Sequence, residues 1–179
     1  MRMTAPVRAL FDYPIEDIAA ALPGEMDSLW DLFRLRQQRF DVHDSTRSIA
    51  FRWAALGPTG SLAVLAASYA PTPLAAAVGA CAARLEQAYS GTAVSLLLTE
   101  LRAGQRIARH RDSGELLERT HRCHLPIITN PDVRFLIDDK PYYLRPGTAW
   151  ELDNMRPHGV ENRGSTGRVH LICNILPRT

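Results

Sequence analysis

The 179 residues hold only three cysteines, Cys81, Cys123 and Cys173, far apart in the chain and in apolar settings. With an odd count and no Cys-x-x-Cys pair, they read as reduced core residues of an intracellular protein. No two Lys or Arg residues are adjacent, and 21 positive against 19 negative residues leave a net charge of +2. A nucleic-acid or membrane-surface partner calls for a basic stripe, so neither is expected. The longest apolar run, Leu74–Ala83, reaches about half a membrane span. The start, Met-Arg-Met-Thr-Ala-Pro, opens no apolar signal-peptide core, and a cytoplasmic location is expected. What remains, 46% hydrophobic and 22% charged residues, suits a folded globular protein of one domain spanning 1–179.

The first ninety residues read as helical support with one strand. Ile15–Leu22 is a short amphipathic candidate, and Met26, Leu29, Trp30, Phe33 and Leu35 recur near helical spacing. Ser48–Leu56 alternates and carries aromatics, as a strand does. Thr72-Pro73 opens an Ala-rich helix to about Tyr89, in which Gly79 and Cys81 suit close packing. Beyond Ser90-Gly91 the texture changes to short β-rich segments: Thr92–Leu101, Arg106–His110, Arg122–Thr129, Val133–Ile137, Tyr142–Leu144, Thr148–Leu152, Gly159–Asn162 and Arg168–Leu176. Turn signals such as Asn130-Pro131-Asp132 and Arg145-Pro146-Gly147 separate them. The chain is therefore mainly β, with a jelly roll over 91–179 buttressed by N-terminal helices.

Two strands are two-faced. Arg122 and His124 share one face, with Cys123, Leu125 and Ile127 on the other; Arg168, His170 and Asn174 oppose Val169, Leu171, Cys173 and Ile175. Either one sheet face is wet, or the polar face lines a pocket that needs positive charge. Among six histidines, His110-Arg111-Asp112 puts an imidazole and a carboxylate on one side of a strand, where both can hold one metal ion. His158 can supply a third ligand at a later strand. Two histidines and one carboxylate leave three coordination positions open, as non-haem Fe(II) oxygenases require. A lone His-x-Asp is equally a surface ion pair; the ordered set of dyad, Arg122 with His124, His158 and then Arg168 carries more. Arg168 can grip a carboxylate bidentately.

Thr99 to Pro177 resembles the aspartyl/asparaginyl β-hydroxylase family of Fe(II)/2-oxoglutarate-dependent dioxygenases, which includes bacterial free-proline hydroxylases. The resemblance rests on Arg-His-Arg-Asp at 109–112, Arg122-Cys-His-Leu-Pro126, Thr129-Asn-Pro131, Pro146-Gly-Thr-Ala-Trp150, Leu152-Asp-Asn154, His158-Gly-Val-Glu-Asn162 and Arg168-Val-His-Leu171. Arg39 and Val42-His43-Asp44-Ser45-Thr46 resemble a further stretch. It implies a double-stranded β-helix with iron on His110, Asp112 and His158. It also implies that Arg168, helped by Thr99, binds the distal carboxylate of 2-oxoglutarate, and that Arg122 and His124 lie beside the iron-proximal one. Because Asp112 is kept, the chain looks more like the three-ligand, amino-acid-hydroxylating branch than the two-histidine one. The implied reaction consumes O₂ and 2-oxoglutarate, releases succinate and CO₂, and hydroxylates an unactivated carbon.

Arg39, His43 and Thr46 are substrate-binding candidates, with local loop capping as the other reading of His43. His170 is either a partner of the site or a satisfied core histidine. His121 is expected to face solvent, Trp53 and Trp150 to sit in the core, and the charged stretch Arg109–Arg122 to be a loop beside the metal, a candidate lid. The substrate expected is a small molecule, an amino acid or a derivative; a peptidyl Asp or Asn residue is the alternative. Two other readings compete: a cupin-type metal enzyme without 2-oxoglutarate, and a ligand-binding jelly roll without catalysis. The first is disfavoured by the lack of His-x-His with a downstream Glu.

Overall fold

The computed structural model describes residues 3–24, 27–33, 44–56, 61–66 and 72–178. In chain order these form β1 (Val7–Asp12), α1 (Glu16–Ala20), a 3-10 turn (Ser28–Asp31), β2 (Thr46–Leu56), β3 (Leu62–Ala66), α2 (Thr72–Tyr89), β4 (Gly91–Leu101) and β5 (Arg106–His110). There follow α3 (Glu115–Glu118), β6 (His121–Ile128), β7 (Val133–Ile137), β8 (Lys140–Tyr142), β9 (Thr148–Leu152), β10 (His158–Asn162) and β11 (Arg168–Pro177). The strands make two antiparallel sheets, a larger one ordered β1-β9-β6-β11-β4-β2-β3 and a smaller one ordered β5-β10-β7-β8.

Alternation decides which face of each strand is buried against what. The apolar faces of β6 and β11, with Cys123, Leu125, Ile127, Leu171, Cys173 and Ile175, pack under α2 through Leu74, Val78, Cys81 and Leu85. Each such side chain contributes about 1.5–3 kcal/mol of burial. A second apolar cluster, with Leu101, Ile107, Phe135, Ile137, Leu152 and Val160, joins the two sheets. The site lies between the two sheets, with His110 and His158 on the smaller one and Thr99, Arg122, His124 and Arg168 on the larger, beside this second cluster.

The N-terminal half differs from expectation. It contributes three strands to the larger sheet, two of them (β1 and β3) as its edges. Within the expected 26–35 helix the described residues 27–33 hold a 3-10 turn, with Asp27 accepting from the Leu29 N–H at 2.8 Å, while Met26 and Leu35 lie outside the described residues. Gly79 is not a close-packing glycine, since a Cβ there meets nothing within 4 Å. β8 begins two residues earlier than expected because Asp138 and Asp139, at φ 49° and 62°, form a two-residue hairpin turn. Trp53 packs edge-on against Phe33 at 5.3 Å. Trp150 is only half-buried, donating from Nε1 to the Arg145 carbonyl at 3.3 Å.

Candidate active site

The site is assembled where the smaller sheet meets the loop between β9 and β10. His110 ends β5 and His158 starts β10, and the two are cross-strand partners, with ring centroids 4.3 Å apart. The pairing needs Gly159: a Cβ there would stand 3.0 Å from the Ile107 carbonyl oxygen and 3.4 Å from Arg109 Cα. Just past β5, the Asp112 N–H donates to the Asn154 carbonyl at 3.1 Å, which pins the chain against the β9–β10 loop. Asp112 Oδ1 is then 3.6 Å from His110 Nε2 and 3.9 Å from His158 Nε2. One ligand atom from each of the three lies within 4.8 Å of the others.

Local hydrogen bonds aim the imidazoles. His110 Nδ1 lies 2.8 Å from the Ala108 carbonyl, and His158 Nδ1 lies 2.9 Å from the Arg156 carbonyl. A carbonyl only accepts, so each Nδ1 carries the proton and a neutral ring then presents its Nε2 lone pair towards Asp112. Burial, partly offset by Asp112, lowers the His158 pKa and favours that neutral state. Burial alone would raise the Asp112 pKa, but Arg122, His110, His158 and Asn154 outweigh it and hold the carboxyl well below the usual range. Asn154 Nδ2 donates to Asp112 Oδ2 at 3.1 Å, while Arg122 Nη2 stands 3.7 Å from the same oxygen. Two lone-pair nitrogens and a held carboxylate fit a divalent transition ion. Cis ligands at ordinary bond lengths lie roughly 3 Å apart, so Asp112 needs to close on each imidazole by less than about 1 Å.

Beside the trio lies a pocket of about 510 Å³, open mouth included, lined by Thr99, His110, Arg122, His124, His158 and Arg168 together with apolar residues of the inter-sheet cluster. The polar faces of β6 and β11 therefore line a pocket and not a wet surface. Arg168 is 1% exposed, whereas the side chains of His110 and His158 are 15% and 12% exposed, so Arg168 marks the closed end. Its guanidinium carbon lies 4.9 Å from the Phe135 ring centroid. Arg122 donates to Asn174 Oδ1 at 3.1 Å, which fixes it towards Asp112. His124 is held neutral by burial, with Arg122 and Arg168 adding to the same effect.

Several expectations about single residues change. His121 is no solvent residue: Nδ1 donates to Glu151 Oε1 at 2.6 Å, and the ring lies 4.2 Å from that of Tyr89. His170 is fully buried, yet neither ring nitrogen is hydrogen-bonded among the described residues, so it is not the satisfied core histidine of the alternative reading. Thr46 is buried on the inner face of β2 opposite Leu101, next to the Ser48–Thr99 pair, and is not among the pocket-lining residues. Arg39 and His43 lie outside the described residues. Part of the 109–122 loop is helical, at Glu115–Glu118. Asn154 and Asn174 carry positioning contacts that the sequence reading gave no role. Alternation did place Asn174 beside Arg168, but nothing local signals a contact between Asn154 and a side chain 42 residues earlier.

A family model for aspartyl/asparaginyl beta-hydroxylases matches residues 16–177. No curated protein sequence matches the chain. Among solved structures, the fold is similar to a 2OG-Fe(II) oxygenase family oxidoreductase from Burkholderia pseudomallei, with TM-score 0.60 and 11% identity over 96% of this chain and 84% of that one. It is also similar to the viral collagen prolyl hydroxylase of Paramecium bursaria Chlorella virus-1 in its 2OG complex, with TM-score 0.61 and 7% identity over 98% of both chains. A prolyl-4-hydroxylase from Pseudomonas putida gives TM-score 0.55 and 15% identity over 98% of this chain and 95% of that one. At such identities these likenesses establish the jelly-roll fold. The family match covers nearly the whole chain, across both the sheets and the His110–Asp112–His158 trio: the chain belongs to the aspartyl/asparaginyl β-hydroxylase family and is a 2-oxoglutarate-dependent oxygenase.

Proposed function

We propose that this oxygenase hydroxylates an unactivated carbon of an amino acid or an amino-acid-derived small molecule, releasing succinate and CO₂, and that residues 1–179 act as one domain in the cytoplasm. The observation that carries the metal and cosubstrate assignment is the pairing of two aimed imidazoles and one held carboxylate with a buried arginine at the closed end of the same pocket. Bound Fe(II) and 2-oxoglutarate supply the oxidising chemistry, with O₂ as the oxidant. His110, Asp112 and His158 hold the metal and leave the remaining positions open. Arg168, with Thr99, grips the distal carboxylate, while Arg122 and His124 face the proximal one. Ile107, Phe135 and Ile172 exclude water from the chain between them. The amino-acid reading rests on the retained carboxylate ligand Asp112, which is shared with the three-ligand branch that the sequence resembles. Arg39 and His43 stay substrate-binding candidates, whereas Thr46, buried and away from the pocket lining, would act only through its neighbours. No described helix is long and apolar enough to cross a membrane.

The test needs no substrate. Anaerobic apoprotein is given Fe(II) and then 2-oxoglutarate, and a visible metal-to-ligand charge-transfer band is sought. The band should form in the wild type, vanish in His158→Ala, and need far more 2-oxoglutarate in Arg168→Ala. Iron bound without any such band would refute the cosubstrate assignment and favour a metal jelly roll of another kind. An amino-acid screen read by succinate release then tests the substrate class, with peptides carrying Asp or Asn as the comparison set.

A further inference from the structure

The closed end of the pocket holds a polar side chain that the site described above does not use. His170 is 0% exposed, on β11 two residues beyond Arg168 and opposite Thr99 of β4. Its ring stacks on Phe135 with centroids 5.5 Å apart and 17° between planes, and meets the His124 ring edge-on at 5.8 Å. Arg168 lies over the same Phe135 ring, so the two side chains share one aromatic platform. Among the described residues, neither nitrogen of His170 has a hydrogen-bond partner, and His124 Nδ1 has none either.

Buried polar groups are nearly always satisfied, by protein or by ordered water. An apolar side chain would fill this space without that demand. Burial, helped by Arg168 and His124, keeps the His170 ring uncharged, so it offers one N–H and one lone pair. Its neighbours Thr99, His124, Phe135 and Arg168 line the pocket, but His170 stands behind them. What reaches it is therefore small. A water molecule there would find the ring of His170 and the anion that Arg168 holds, the minimum of two polar partners a buried water requires.

We propose that His170 is a positioning residue for the distal carboxylate of the cosubstrate at Arg168, donating to it through one buried water. The inference rests on the 2-oxoglutarate reading given under Proposed function. It predicts a discrimination that packing alone does not produce: His170 matters only for a ligand with a carboxylate at the far end.

The experiment measures binding, not turnover. Mn(II)-loaded protein is titrated calorimetrically with 2-oxoglutarate and with 2-oxobutanoate, which keeps the 2-oxo acid but lacks the distal carboxylate. His170→Phe should bind 2-oxoglutarate about 2–10-fold more weakly, as loss of one hydrogen bond to a neutral bridging water implies, and bind 2-oxobutanoate as the wild type does. His170→Asn, which keeps a donor, should recover part of the loss; if the Phe variant does not fold, His170→Leu against His170→Asn reads the same difference. Equal weakening towards both acids, or none towards 2-oxoglutarate, overturns the proposal. Wild-type protein that binds Mn(II) but not 2-oxoglutarate overturns the parent reading as well, whereas wild-type binding with an indifferent His170→Phe overturns this one alone.

Discussion

Replacing Asn154 with alanine tests whether the carboxylate ligand is held by the β9–β10 loop. Among the described residues, Asn154 donates the one hydrogen bond to Asp112 Oδ2, at 3.1 Å, and Arg122, at 3.7 Å, is too far to replace it. A hydrogen bond to a charged acceptor contributes about 1.5–3 kcal/mol, and losing an outer partner of a metal ligand typically weakens metal binding about 10–100-fold. The backbone bond from Asp112 N–H to the residue-154 carbonyl survives the substitution, so the loop keeps its place and only the carboxylate gains freedom. The assay is an electron-paramagnetic-resonance titration of apoprotein with Mn(II), with circular dichroism to confirm the fold. Asn154→Ala should shift the Mn(II) dissociation constant upward by about 10–100-fold, and activity should return at high metal. A well-folded variant with wild-type Mn(II) affinity would show that Asp112 is oriented by something other than Asn154.

Gly159→Ala should weaken metal binding too, through geometry and not chemistry: its Cβ would press on the Ile107 carbonyl at 3.0 Å and part β5 from β10, and with them His110 from His158. The same Mn(II) titration reads it; unchanged affinity would mean the strands absorb the methyl elsewhere. Glu151 is a pH probe. Burial would raise its pKa, but His121, Tyr89 and Arg8 outweigh that and lower it below the ordinary 4.5. The unfolded chain therefore takes up the proton first on acidification, so this stabilisation is complete above about pH 5 and is lost as pH falls further. Wild-type melting temperature should consequently fall more steeply than that of Glu151→Gln between about pH 5 and 3, and parallel curves would refute the assignment. Cys81, Cys123 and Cys173 are buried thiols, the first pushed up to about 12 by burial. They should stay silent to a disulfide-exchange reagent until the protein unfolds, and their serine variants should lose about 1–3 kcal/mol of stability but no activity at saturating metal.

Among the strands read in the chain, two could also be read face by face, because one side is buried against helices and the other turns to the pocket, a difference that prints a period of two. β6 and β11 show it, and their faces divide as the alternation requires. β1 and β3 escaped for the opposite reason. The burial of Val7–Asp12 follows no period, and Leu62–Ala66 is apolar throughout at an exposed edge, with Leu62 39% and Val64 43% exposed. The 28–31 turn misled because a few apolar residues near helical spacing describe a buried patch as well as a helix.

By itself the sequence determined the chemistry on offer: a carboxylate two residues from a histidine, a later histidine, and positive and hydroxyl groups on pocket-facing strand positions. Local covalent spacing and side-chain alternation are enough for that. Only the tertiary structure decided how those groups are aimed. The Asn154 clamp on Asp112, the Asn174 hold on Arg122 and the Glu151 partner of His121 each join residues through the folded backbone. Such contacts leave no periodic trace in a chain, since the distance along it says nothing of which loops the two sheets bring together.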